Sequence, residues 1–345
     1  MAILFVMFLH AYFSPWATTA HTEVTALRLV HLLTHAAVPV YLFMSGFLGV
    51  RDRSAHFGAF VVRRLHRLGL PMVVWMAAAL LFDAWWPGTA TWAERLRAFA
   101  LFNSSGQFYF LLVLFVLTLA SYAVRGWSER RLRWLTVAAF VVNLAAIVYY
   151  QSHEIAGLFA IVAYRNPLVW VFSFTFGLYL GRARGHLVWS RRITVAAAAG
   201  MAVIAMIYAA QGERGGGYPI SYFGVTVFLF AALGLVVFPA ALRGLGRTRT
   251  GHAMLAPARA LAPYAFAIYL VHKPYFVGYL SDRLISNGPL ADDYLKLMTS
   301  LFVMGGVASI AFVIAVDRVA PRFAALALGV ERPRRRPARE VRPAA

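Results

Sequence analysis

The chain has no cysteine at all, so disulfides are excluded and a thiol nucleophile is unavailable. Charge is also scarce: 13% of residues are charged, against 61% hydrophobic and 15% aromatic, with a mean hydropathy of +0.68. That is far more apolar length than one soluble core could bury, which points to a polytopic membrane protein. No internal repeat stands out, and no stretch is long and polar enough for a sizeable soluble domain. Lysine is nearly missing, found only at Lys273 and Lys296, an arginine bias that suggests a GC-rich bacterial source.

What is present is a succession of apolar runs. The hydropathy pattern predicts an all-α protein of about ten transmembrane helices, near 1–18, 24–50, 60–84, 107–124, 134–151, 155–181, 193–210, 219–241, 260–280 and 296–318. A formal charge of +20 would suggest nucleic acid in a soluble protein. Here the basic residues fall in alternate connections: Arg51, Arg53, Arg63, Arg64 and Arg67; Arg125, Arg130, Arg131 and Arg133; Arg182, Arg184, Arg191 and Arg192; Arg243, Arg247, Arg249 and Arg259. By the positive-inside rule these connections are cytoplasmic, as are both termini, so the charge sets topology and no nucleic-acid partner is expected. Residues 1–323 read as one membrane domain and 324–345 as a basic, disordered tail attracted to anionic lipids. The segment "ATTAHTEV" has the look of a signal-peptidase site, but the charged leader region is missing, and no cleavage is expected.

Polar groups inside the spans are costly in lipid and are therefore paired or functional. His10 lies about 14 Å along the first helix from Met1, near the middle of a ~30 Å hydrocarbon core. Either it bonds a neighbouring helix, or it is a general base whose ordinary pKa of about 6.5 suits proton abstraction near neutral pH. Helix two ends in "VPVYLFMSGFLGVRDR" and helix three opens with "FVVRRLHRLGLP". The spacing predicts Arg63, Arg64 and Arg67 on one helical stripe, which can face Ser45 and Gly46 and receive an anion at a cytoplasmic mouth. The alternative is a plain topological flank, and Ser-Gly in a membrane helix more often permits close helix packing than supplies a nucleophile.

In "YAFAIYLVHKPYFV", Tyr269 and His272 share a face, and Pro274 is expected to leave the Leu270 carbonyl free nearby. A packed, hydrogen-bonded pair is the plainer reading. Lys273 is read as snorkelling towards the outer interface, without a chemical role. His31 and His35, with His21 and Glu23 upstream, lack the three or four inward ligands of a zinc site, so no metal is expected. Trp85, Trp86, Trp92, Tyr150, Tyr218 and Tyr222 read as interfacial anchors, with sugar stacking open for one or two.

Taken in order, the first-helix histidine, "VPVYLFMSGFL", "RRLHRLGLP", "GQFYFLLVLFVLTL", "FSFTFGLYLGR" and "AFAIYLVHKP" resemble membrane acyltransferase family 3 across most of the chain. The resemblance implies an integral membrane enzyme that moves acetyl, succinyl or other acyl groups onto surface or periplasmic carbohydrates. It assigns the family histidine to His10, the basic motif to Arg64 and Arg67, the small-residue motif to Ser45 and Gly46, and the late Tyr-Leu-x-His to Tyr269 and His272. Tyr109 stands where the family often has tryptophan. The family's first helix usually carries an arginine eleven residues before the histidine, a place that here precedes Met1. Either a start upstream of Met1 is expected, or the chain lacks one anion contact and is weak or inactive, and the upstream start is favoured because a first helix without a basic flank is poorly oriented.

The reading that follows is acyl transfer across a bacterial cytoplasmic (inner) membrane. Acyl-CoA, the donor substrate, approaches Arg63, Arg64 and Arg67 from the cytoplasm, and a carbohydrate hydroxyl gives its proton to His10. No bound cofactor and no covalent intermediate are required. The alternatives are a transporter or flippase for a glycoconjugate, which could use the same buried groups as a substrate path, and a structural membrane partner.

Overall fold

A computed structural model describes residues 2–13, 25–52, 54, 56–85, 91–153, 162–183, 190–212, 222–286 and 294–330, and every regular element among them is helical. In chain order the first helices are α1 (Ala2–Phe13), α2 (Thr25–His35), α3 (Ala37–Gly49), α4 (Phe57–Arg64), α5 (Leu70–Trp85) and α6 (Trp92–Ala100). There follow α7 (Tyr109–Ala120), α8 (Glu129–Gln151), α9 (Val171–Arg182), α10 (Arg191–Gly212) and α11 (Val225–Leu245). The last are α12 (Arg249–Leu261), α13 (Ala265–Val271), α14 (Gly278–Ser286), α15 (Tyr294–Val319) and α16 (Pro321–Ala327).

Eight helical stretches among the described residues are long and apolar enough to cross a membrane. The expected spans at 1–18 and 155–181 are not among them. Of the first, α1 is described over 12 residues, or about 18 Å of helix, and residues 14–18 lie outside the described residues. The second is broken by its own sequence. Asn166 caps a short turn at Pro167–Val169, its side chain accepting from the Leu168 N–H, and α9 begins only at Val171. Proline has no N–H to continue the helix before it, so no unbroken helix runs from Arg165 into α9, and residues 154–161 lie outside the described residues.

Two helix contacts organise the bundle. The first joins α3 and α9. A Cβ on Gly46 would run into the Phe174 carbonyl, and one on Gly177 into the Phe43 carbonyl. Glycine at both places lets the two backbones touch, the usual means of tight association where lipid leaves no hydrophobic drive between helices. The second runs from α12 to α14, one helical path over Arg249–Ser281 interrupted by a wide π turn at His272–Val277. Pro274 explains the interruption, since its missing N–H cannot serve the Leu270 carbonyl.

The expected domain boundary at 323 falls inside α16, and residues just past it are packed, not tail. Ala324, Ala327 and Leu328 are buried, and Trp75 Nε1 donates to the Ala327 carbonyl at 2.7 Å. Residues 331–345, most of the expected tail, lie outside the described residues, as do His21, Glu23, Arg53, Trp86, Arg184 and Tyr218.

Candidate functional site

A polar-lined cavity of about 410 Å³ is bounded by α1, the junction of α2 and α3, the turn before α7, residues 164–165, Tyr222 and the path through α13. Its position follows from chain order. The turn holding Gly106 and Gln107 opens the span that closes at Val124, beside Arg125, and Tyr222 precedes α11, which ends beyond Arg243. The cavity therefore sits at the end of the bundle away from the arginine-rich connections.

His10, Tyr109 and Tyr269 all line this space. His272 lies beside it, fully buried, with its ring centroid 5.1 Å from that of His10. The His272 Nδ1–H donates to the carbonyls of Tyr269 at 2.9 Å and Ile268 at 3.2 Å. That bond sets the tautomer and leaves Nε2 as the acceptor, with no partner among the described residues. Four of the residues assigned on sequence, from three separate segments, thus meet in one place.

The freed carbonyl expected at Leu270 is there, and it has been capped from another helix. Gln107 Nε2 donates to the Tyr269 carbonyl at 3.1 Å and to Leu270 at 3.4 Å, while the Tyr269 hydroxyl donates back to the Gln107 carbonyl. Gln107 stands inside the quoted "GQFYF" motif, yet nothing local marks it as the partner of a proline-broken helix elsewhere in the chain.

Lys273 corrects the snorkelling expectation. Four residues after Tyr269 it shares that residue's face, and it lines the cavity with Nζ lying over Gly106, where an added Cβ would be 3.3 Å away. His35 also reaches the cavity, its Nδ1–H donating to the His31 carbonyl at 2.9 Å and its ring 4.6 Å from that of Tyr222. Among the described residues no group of three potential metal ligands forms. Tyr222, read as an interfacial anchor, is part of the lining, whereas Trp92 is exposed and Tyr150 is buried, its hydroxyl accepting from Asn166 Nδ2 at 3.1 Å.

The arginine stripe is not assembled as expected. The helix widens into a π turn at Leu65–Gly69, and the three side chains take different courses: Arg63 and Arg67 are exposed while Arg64 turns inward. Arg64 Nη2 donates to Asp52 Oδ2 at 2.8 Å, and the guanidinium lies 4.9 Å over the Phe60 ring. Arg63 stands 3.7 Å from the same carboxylate. Burial alone would raise the Asp52 carboxyl, but the Ser54 hydroxyl and N–H, then Arg64 and Arg63, outweigh it and hold it below the ordinary carboxylate value.

Arg125 donates to the Ser54 carbonyl and Arg182 to the Arg125 carbonyl, so neighbouring connections are tied together at this end. The remaining space is about 30 Å³, room for a water or two. No arginine of the stripe lines the large cavity, nor do Ser45 and Gly46. Gly46 serves the α3–α9 contact.

Comparison with known proteins gives one match. A family model described as an acyltransferase domain covers residues 1–318. No curated protein and no solved structure matches the chain.

Proposed function

We propose, from the chain's membership of membrane acyltransferase family 3, that this membrane acyltransferase carries an acyl group from cytoplasmic acyl-CoA to a carbohydrate hydroxyl presented at the opposite face of a bacterial inner membrane. The observation that carries the reading is the meeting of His10, His272, Tyr269 and Tyr109 at one cavity of about 410 Å³, within the range usual for small-molecule sites. The chemistry needs one base. His10 takes the proton of the acceptor hydroxyl, the oxygen attacks the thioester carbonyl, the new C–O bond forms as the C–S bond breaks, and the departing CoA thiolate takes the proton back. His272 acts as a positioning residue, holding Nε2 as an acceptor beside His10. No metal or bound cofactor has a part in this scheme.

One observation favours a different activity. Two interrupted stretches, one following the lining residue Arg165 and one containing the lining residue Lys273, adjoin the same cavity, a pattern common where transporters bind their cargo. A single comparison separates the two. Strains carrying the wild-type protein, a deletion and His10→Ala are analysed by mass spectrometry of surface and periplasmic glycans. Acyl transfer predicts an ester that disappears in both mutants while the glycan itself still reaches the surface, with a loss of roughly 10²- to 10⁴-fold for the missing base. Normal acylation by a well-expressed His10→Ala protein removes His10 from the mechanism, and a glycan retained inside the cell favours transport.

A further inference from the structure

The large cavity has an unusual electrostatic make-up for a space inside a membrane protein. Its described lining includes Lys273 and Arg165 and contains neither aspartate nor glutamate. Arg165 is spent on neutral acceptors, donating to the carbonyls of Leu101 at 2.9 Å and Phe102 at 2.8 Å and to Asn103 Oδ1 at 3.1 Å. Lys273 makes no hydrogen bond or ion pair among the described residues, and its ammonium lies over Gly106, where an added Cβ would stand 3.3 Å away. A lysine held in a cavity without a counter-charge among the described residues is costly and points to a functional position.

The rest of the lining describes the other half of a ligand. Tyr109, Tyr164, Tyr222 and Tyr269 line it, and Tyr222 Oη is buried with no hydrogen-bond partner among the described residues. Aromatic side chains beside the unpartnered Tyr222 hydroxyl suit a sugar ring, and an ammonium suits an anion attached to it.

We infer that the acceptor is an acidic sugar unit, carrying a carboxylate or a phosphate close to the hydroxyl that is acylated, and that Lys273 determines this specificity by binding the anion and setting the hydroxyl at His10. The inference rests on reading the His10 cavity as the acceptor site. It assigns Lys273 a task distinct from proton transfer: without it, neutral sugars should fare no worse than before.

The test separates binding from chemistry. Thermal unfolding of the detergent-purified full chain is followed with sodium glucuronate, glucose 6-phosphate and glucose as probes, for the wild type, Lys273→Met, Lys273→Arg and His10→Ala. At least one charged probe should stabilise the wild type at concentrations where glucose does not, and which one does so tells carboxylate from phosphate. Lys273→Met should weaken that probe about 30-fold or more, as expected when one partner of a desolvated charge pair is removed, and Lys273→Arg should recover part of it. His10→Ala, which keeps Lys273, should still prefer the charged probe to glucose. Charged probes that stabilise no better than glucose, or that bind Lys273→Met unimpaired, overturn the inference. If they bind as expected but no glycan ester depends on the protein, the acyl-transfer reading fails and the anion site stands. If an ester is lost from a glycan without any charged unit, the reverse holds.

Discussion

The bridge between Gln107 and the broken helix is where the cavity can be weakened without touching its reacting groups. In Gln107→Leu the side chain keeps nearly its volume but loses the amide that serves Tyr269 at 3.1 Å and Leu270 at 3.4 Å. The two carbonyls are not equivalent. The Tyr269 carbonyl still receives the His272 Nδ1–H at 2.9 Å, whereas Pro274 supplies no N–H to Leu270, whose oxygen is left bare in a buried place. One good hydrogen bond is worth about 1 kcal/mol and an orphaned buried carbonyl about 1–3 kcal/mol. Against this stands a gain: Gln107 Oε1 is itself buried without a partner, and leucine removes it. Interhelical hydrogen bonds in lipid also tend to the low end, roughly 0.6 kcal/mol on average. The expected net loss is therefore about 1–2 kcal/mol. Reversible unfolding in detergent micelles measures it, with Tyr269→Phe as the second arm of a double-mutant cycle, because the Tyr269 hydroxyl bonds the Gln107 main chain and should stay partly coupled to the side chain. Wild-type stability in Gln107→Leu, with strictly additive effects in the double mutant, would refute the idea that this bridge holds the wide turn in place.

Other outcomes follow from the opposite end of the bundle and from the α3–α9 contact. Arg64→Lys should cost stability of roughly 1 kcal/mol and weaken use of acyl-CoA in membrane assays, since lysine keeps the charge but not the planar contact with Asp52 and Phe60, while exposed Arg51 should accept lysine silently; equal behaviour of the two would leave Arg64 as a topological charge only. Because the Asp52 carboxyl is held below its ordinary value in the folded chain, its pairing is fully present above about pH 4 and is lost as the pH falls through the lowered folded value. Asp52→Asn should accordingly flatten the acid limb of an unfolding-versus-pH curve, and an unchanged limb would discount this ion pair. Gly177→Val, which drives a side chain into the Phe43 carbonyl, should sharply lower the folded yield, while Gly49→Ala, with open space at its Cβ, should not.

Much of the fold could be read from hydropathy because a bilayer imposes a length and a polarity on each helix. The departures come at residues whose influence is local and backbone-directed. Asn166 and Pro167 end one expected span and start α9 afresh at Val171; a sliding average of apolarity over 155–181 does not register a missing N–H. The same blindness hid the π turn at Leu65–Gly69, which upset the spacing on which the arginine stripe had been drawn. Past residue 323, buried Ala324 and Ala327 show that a short apolar stretch before a basic tail can still belong to the core.

The candidate site was legible where a residue type is rare in its setting and illegible where a partner decides its role. A histidine in the middle of an apolar helix, or three residues after a tyrosine, announces itself. Lysine did not, because the same side chain on the outer part of a helix can bend to the interface or turn into a cavity, and which it does depends on other segments such as the turn at Gly106, over which Nζ lies. Arg64 presents the opposite case. Its sequence neighbours made it look available for a phosphate, but Asp52, twelve residues earlier, already occupies it at 2.8 Å. Both cases turn on which charge has a partner, a pairwise property that spacing along one helix does not contain. The two ends of the bundle differ in just this respect: at one end the Arg64 cation is met by a carboxylate, and at the other Lys273 meets none among the described residues. A bound anion would complete only the second, so an acidic acceptor is expected at the cavity, while a donor phosphate must compete with Asp52 for Arg64.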